Sequence, residues 1–408
     1  MRVLFTIFPV ISHLYSIAQP ARALQAAGHQ VAVCTARVFR QETEKFGFTH
    51  YGAGVDWNAA NDPSTWPADV FPPFPQPGAD MTDYFVTTIE RLIQRGVPEV
   101  ITVARDWRAD LIIRTSEDPT GAIAAEHLGI PHASLGTDGY SAIDSPHVPY
   151  PTANSRLLTA VLARQRERAG LPPDPDHKML YRHLHLCFNA PRWAQHGTPH
   201  PPNTHFLRFS PSAAGPSQSL PGWVTDLPRQ KPTVLASMGT ILHRSPGVLE
   251  AIIEGLATEP INLVVSIGPE TDPARFGTVP ANVRLEPYVP QAQMLPLCNL
   301  LITHGGYNSV REALFSAVPM VITPIMTDQP HCAERCRDLG LAEGIPVEDY
   351  TPDTIRTAAL SVLNNPKYQA NASKFQEDMQ NLPGTDHMAD LLQQLVAGQC
   401  APDLPDGA

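Results

Sequence analysis

The sequence predicts an α/β protein of two doubly wound domains, each a parallel sheet wrapped by helices. Three observations predict it. Residues 3–35 read as strand, loop, helix, strand, and residues 300–323 read as strand, glycine turn, helix, strand. Between them, residues 209–232 are crowded with proline, glycine and serine, a composition that interrupts folding units rather than building one. A chain of 408 residues suits two domains of ordinary size. We therefore expect an N-terminal domain over 1–208, a linker over 209–232, a C-terminal domain over 233–380, and a last helix with a disordered tail over 381–408.

Composition narrows the function classes. A hydrophobic share of 43% supplies ample core, and a net charge of −11 argues against nucleic acid or an anionic membrane as partner. No apolar run reaches the ~18 residues of a membrane span, and Met1–Val10 lacks a small-residue cleavage site. A cytoplasmic protein, monomer or homodimer, is expected. The six cysteines form no CxxC pair, which fits free thiols in a reducing compartment. His183 and His185 alternate along the chain, but no Cys, Asp or Glu adjoins them at ligand spacing, so no metal site is assigned.

Taken in order, Val3 to Phe8 is a buried strand, followed by a loop carrying His13. A helix then runs to Ala27 with Ile17, Ala21 and Leu24 on one face, and Gly28 stops it. Pro20 would be costly deep in a helix, which puts the expected start near Ser16. Val31 to Thr35 is the second strand. In a doubly wound sheet, ligands bind beyond the strand carboxyl ends, where His13 falls. Residues 54–83 mix proline with Trp57, Trp66, Phe71 and Phe74; they read equally as a grip on an apolar acceptor or as a surface loop folded onto itself. Thr87 to Arg105 is a helix, Ala109 to Arg114 a strand, and a loop, helix and short strand follow. Residues 149–202 read as helix and loop, with the arginines of 156–169 on a solvated face.

The C-terminal domain opens with Thr233 to Ser237, a strand running into a glycine turn. Ser237, Gly239 and Thr240 there offer N–H and hydroxyl groups to a phosphate. A helix over Val248–Ala257 and strands at Asn262–Ser266 and Val283–Glu286 lead to Tyr288-Val289-Pro290-Gln291. Leu300 to Thr303 is the central strand. His304-Gly305-Gly306 breaks it with a turn where backbone can approach a ligand closely. A helix from about Ser309 follows, with Val310, Ala313, Leu314 and Ala317 on one face, then a strand over Met320–Thr323. A helix N-terminus suits an anion such as a diphosphate, to which His304, Asn308 and Ser309 can donate. Glu312, one turn further in, suits the hydroxyls of a ribose, and Asp328-Gln329 suit a hydroxyl-rich ring. Helices over 332–339, 352–364, 367–380 and 387–396 complete the chain.

HGGYNS with Glu312 and Asp328-Gln329 resembles the donor signature of family 1 glycosyltransferases. The likeness spans nearly the whole chain and is strongest over 233–341 and the first ~35 residues. It implies the GT-B fold, in which two Rossmann-like domains face a central cleft, the first binding the acceptor and the second the nucleotide sugar. It also implies an inverting transfer from a UDP- or dTDP-sugar to a small acceptor, with no cofactor and no metal. The Val289 backbone would meet the base, and Gln291 would lie near the ribose. His13 would be the base, although Ser12 and Ser16 stand where the family usually has glycine and proline. The family often orients that histidine with an acid just after the strand ending here at Arg114, where this chain has Thr115. Glu117 and Asp118 follow. Asp118, with the shorter side chain, is favoured as the partner, the alternative being that it caps the next helix. A sugar-nucleotide epimerase and a GT-B-like helper without turnover are the rival readings; a dehydrogenase fits worst, for GxGxxG is absent after the first strand.

Overall fold

The computed structural model describes residues 1–58, 63–73, 82–136, 158–193, 200, 203–211, 219–239, 247–325 and 328–398. Phe74, Arg156, Thr240, Cys400 and the C-terminal tail lie outside them. The chain divides into two compact units, one built from Met1–Phe209 with the segment from Leu382, the other running from Ser217 to Asn381.

The first unit is a seven-stranded, all-parallel sheet. Its strands are β1 (Arg2–Thr6), β2 (Gln30–Thr35), β3 (Thr49–Gly52), β4 (Leu111–Thr115), β5 (His132–Leu135), β6 (Leu184–Cys187) and β7 (Thr204–Phe206). Their spatial order is 3-2-1-4-5-6-7. Val3, Leu4 and Phe5 of β1 and Leu111, Ile112 and Ile113 of β4 are fully buried, as continuous apolar runs must be when helices cover both faces. Each such side chain contributes roughly 1.5–3 kcal/mol.

Three expectations for this unit are corrected. The first helix spans Ile11–Ala26, so His13 lies in its first turn rather than in a loop. Leu14, Ile17, Ala18, Ala21 and Leu24 all bury on one face, and that burial outweighs the single helical hydrogen bond lost at Pro20. Residues 149–202 are not all helix and loop, since they supply β6 and lead into β7. Arg166 is buried, donating to Glu126 at 2.5 Å and to the Pro172 carbonyl, rather than facing solvent.

The second unit is a six-stranded, all-parallel sheet: β8 (Thr233–Ser237), β9 (Asn262–Ser266), β10 (Val283–Glu286), β11 (Leu300–Thr303), β12 (Met320–Ile322) and β13 (Ala342–Gly344). The order is 10-9-8-11-12-13, the same winding as the first unit. Its apolar core joins β8, β9 and β11 to the helices Val248–Leu256 and Pro352–Asn364. The helix expected from Ser309 spans Tyr307–Phe315. Ala317, expected on its apolar face, lies beyond its end with φ +54°. β13 was not expected. The last helix, Thr385–Val396, packs on Ile11–Ala26 in the first unit.

Candidate active site

In both units the strand order reverses at one point, between β1 and β4 and between β8 and β11. A crevice opens there at the strand carboxyl ends, the place where doubly wound sheets bind ligands. The sequence-predicted residues collect at these two crevices.

In the first unit, the chain leaves β1 at Thr6 and brings His13 back over the end of β4. His13 is buried, 6% exposed as a residue. Its Nδ1 lies 3.2 Å from Thr115 Oγ1 and its Nε2 lies 2.9 Å from Glu117 Oε2. Asp118 is not the partner. Its carboxylate accepts from Thr120 N at 3.0 Å and caps the helix Pro119–Leu128, which Pro119 opens. The turn geometry explains the exchange: Asp118 N–H donates to the Thr115 carbonyl at 3.0 Å, which commits Asp118 to the helix start and leaves the longer Glu117 to reach the imidazole. Arg114, which sequence reasoning left out, is fully buried and donates to the carbonyls of Thr115 and Ser116 at 3.1 and 2.8 Å and to that of Leu180. It thereby ties down the turn that carries both partners of His13.

Beside this turn is a cavity of about 60 Å³, lined by Thr6, Phe8, Val55, Ile93, Glu117 and Asp118 among others. That is room for more than one water-sized group. The aromatic stretch contributes little to it. Trp57, Trp66 and Phe71 pack on one another with centroids 4.7–5.2 Å apart, so these residues fold onto themselves. Phe8 bridges them to His13, with ring centroids 5.9 Å from Trp57 and 6.0 Å from His13. His183 and His185 belong to the sheet: His183 Nδ1 meets the His132 carbonyl at 3.2 Å and His185 Nδ1 meets Ser134 Oγ at 2.8 Å. Among the described residues, no cluster of three or more His, Cys, Asp or Glu could hold a metal ion.

In the second unit, β8 ends at Ser237 and β11 at Thr303, in register. Gly239 has φ +71° and Gly305 φ +86°, backbone that an L side chain rarely adopts. Between them stands the His304 ring: a Cβ on Gly239 would fall 2.5 Å from its Cε1, and one on Gly306 would fall 2.6 Å from its Nε2. Only glycine lets the two turns close on the imidazole. Burial pulls His304 down to about 4, so it is neutral near pH 7 and donates as an N–H rather than as a cation.

The helix Tyr307–Phe315 starts at this turn, so its first N–H groups lack partners within the helix. Tyr307 N–H is taken by Asp328 Oδ2 at 3.2 Å. The Asn308 amide oxygen accepts from buried Arg311 at 2.8 Å, which turns its NH₂ the other way. Glu312 Oε2 accepts from Gln291 Nε2 at 2.8 Å, so the two residues assigned to the ribose do meet. Burial pushes the Glu312 carboxyl up to about 7, against the pull of Gln291 and Arg311. Val289 is buried one residue ahead of Pro290, and Gln291 opens a short helix. Ser309 sits half-buried at the helix start. Gln329 Oε1 accepts from Ile325 N–H at 2.8 Å and thereby holds the loop after β12. Thr240 lies outside the described residues.

Residues 251–395 match the family model of the erythromycin biosynthesis protein CIII-like C-terminal domain. The chain is 25% identical to 4'-demethylrebeccamycin synthase of Lentzea aerocolonigenes, over 97% of this chain and 99% of that protein. It is 26% identical to 3-alpha-mycarosylerythronolide B desosaminyl transferase of Saccharopolyspora erythraea, over 98% and 100%. Among solved structures it matches the glycosyltransferase VinC, determined in complex with dTDP, with a TM-score of 0.76 and 25% identity over 98% and 100% of the two chains. The GT-B likeness thus covers both units, including the two crevices described above. The chain is thus a glycosyltransferase, similar along its whole length to the natural-product members of family 1.

Proposed function

We propose that this glycosyltransferase moves a sugar from a uridine or thymidine diphosphate donor to a hydroxyl of a small, lipophilic or aromatic natural product. The transfer is one displacement that inverts the anomeric carbon. The observation that carries the reading is the glycine-clamped His304 at the start of the helix Tyr307–Phe315. Neutral N–H donors there, with those of the Ser237–Gly239 turn and of Asn308 and Ser309, receive the diphosphate. Glu312 and Gln291 take the ribose, the Val289 backbone meets the base, and Asp328 and Gln329 read the sugar. These fixed donors, rather than a metal, carry the charge of the leaving group; such preorganised groups are usually the largest catalytic contribution. The acceptor loses its proton to the His13–Glu117 pair, and a positioned base adds about 10²–10⁴-fold.

Both nucleotides are retained because VinC holds dTDP, whereas Asn308-Ser309 resembles family members that use uridine. Calorimetry with UDP and dTDP, followed by incubation of UDP-glucose and dTDP-glucose with phenols and alcohols, tests the reading. We expect saturable binding of at least one nucleotide and a β-linked product from the α-linked donor by proton NMR. Failure of both nucleotides to bind would sink the donor half, and a product with retained configuration would sink the single displacement.

A further inference from the structure

We propose that Glu117, not His13, is the group that takes the proton from the acceptor hydroxyl, and that His13 holds the carboxylate for that task. This rests on the reading that the protein transfers sugar to a hydroxyl. Both ring nitrogens of His13 are engaged, Nδ1 by Thr115 Oγ1 at 3.2 Å and Nε2 by Glu117 Oε2 at 2.9 Å. An ionised carboxylate only accepts hydrogen bonds, so Nε2 carries the hydrogen. With Nε2 so occupied, the other ring nitrogen, Nδ1, is the one that faces Thr115. Thr115 Oγ1 also lies 3.5 Å from Phe8 N–H, a group that only donates. The threonine oxygen accepts there, which leaves its own hydrogen free to face Nδ1. The ring nitrogen that Glu117 leaves open is thus turned toward fully buried Thr115 at the end of β4.

A separate observation points the same way. The cavity at the end of β1 and β4 is lined by Glu117, while His13 is not among the residues lining it. The Glu117 side chain is 30% exposed against 8% for His13. An acceptor approaching the pair from the cavity side meets the carboxylate first. Glu117 Oε2 is held by the imidazole, which leaves Oε1 as the proton's destination. In the step, the acceptor O–H bond breaks and its hydrogen passes to Oε1. The acceptor oxygen bonds to the anomeric carbon, and the carbon–oxygen bond to the diphosphate breaks with its electron pair. The carboxyl then returns its proton to water.

Two measurements test this. The first needs no substrate: ¹⁵N–¹H correlation of the His13 imidazole at neutral pH should show Nε2–H and a bare Nδ1. A ring protonated at Nδ1 with Nε2 bare would overturn the assignment. The second compares Glu117→Gln with His13→Gln, which keeps an N–H donor toward the carboxylate. UDP-glucose and dTDP-glucose are the donors; 4-nitrobenzyl alcohol and 4-nitrophenol, ionised at alkaline pH, are the acceptors. Glu117→Gln should lose about 100-fold or more with the alcohol but less than about tenfold with the phenolate, which needs no base. His13→Gln should lose less than Glu117→Gln with the alcohol, and the reverse ranking would overturn the proposal. Should neither acceptor react with the wild type, the imidazole measurement decides alone, and calorimetry with UDP and dTDP separately judges the sugar-transfer reading.

Discussion

The two crevices occupy the same place in the same strand order, yet they hold opposite chemistry. Beyond β1 and β4 the turn is built of side chains that accept or exchange protons, His13, Thr115 and Glu117, braced by the buried cation Arg114. Beyond β8 and β11 the turn is built of backbone, with glycines where a Cβ would strike the His304 ring. On the proposed reading, one sheet presents a base and the other a cradle of donors. The doubly wound topology therefore fixes where a ligand goes, and the few residues after each switch-point strand fix what is done to it.

This contrast can be broken one crevice at a time. The largest effect is expected from Glu117→Gln, which removes the carboxylate that His13 holds. Sugar transfer should fall on the order of 10²-fold or more while the affinity for UDP or dTDP stays put, because the change lies in the other unit. A parallel loss of nucleotide affinity by calorimetry would merge the two sites and end the comparison. His304→Ala should do the opposite. It should cost roughly 1–3 kcal/mol of nucleoside diphosphate affinity, about 5–150-fold, and Gly239→Ala should follow it by displacing the ring.

The pH dependence sharpens the second crevice further. With the Glu312 carboxyl pushed up to about 7, it is mostly protonated at pH 6 and mostly ionised at pH 8. Only the ionised form accepts from both ribose hydroxyls. Nucleotide affinity should therefore rise, by up to about tenfold, between those pH values. Calorimetry at both pH values measures it, and Glu312→Gln should remove the dependence. The smallest change belongs to Asp118→Asn. Asparagine caps a helix as well as aspartate, so melting should shift by no more than about 0.5 kcal/mol and transfer by only a few-fold. A large loss of transfer would return Asp118 to the reaction.

That last residue shows what was legible in the chain. Long apolar runs such as Val3–Phe5 and Leu300–Ile302 announce strands buried on both faces. The glycine turn after β11 was readable because glycine spacing carries its own geometry. The strands β6, β7 and β13 were not, since three or four residues broken by His, Glu or Gly show no periodicity. The start of the first helix was hidden because Pro20 argues locally against a helix that only tertiary burial can justify. The choice between Glu117 and Asp118 turned on reach, which sequence does not encode. A signal did exist: Asp118 directly before Pro119 has the pattern of a capping residue followed by proline at the first helical position.

The helix Thr385–Val396 carries a consequence for how the protein is made. It buries Met388, Leu392 and Leu395, Gln393 reaches His29 at 3.2 Å, and Arg208 N–H donates to the Pro383 carbonyl at 2.7 Å, all within the first unit. A ribosome delivers the strands of that unit first and its closing helix last, with the whole second unit threaded in between. At ~5–20 residues per second, the gap is roughly ten to forty seconds. Through that interval the second unit can complete its core while the first lacks the helix that packs on Ile11–Ala26. The half of the molecule that is begun first is finished second, and the nascent chain is most exposed to chaperones and to aggregation on its N-terminal side.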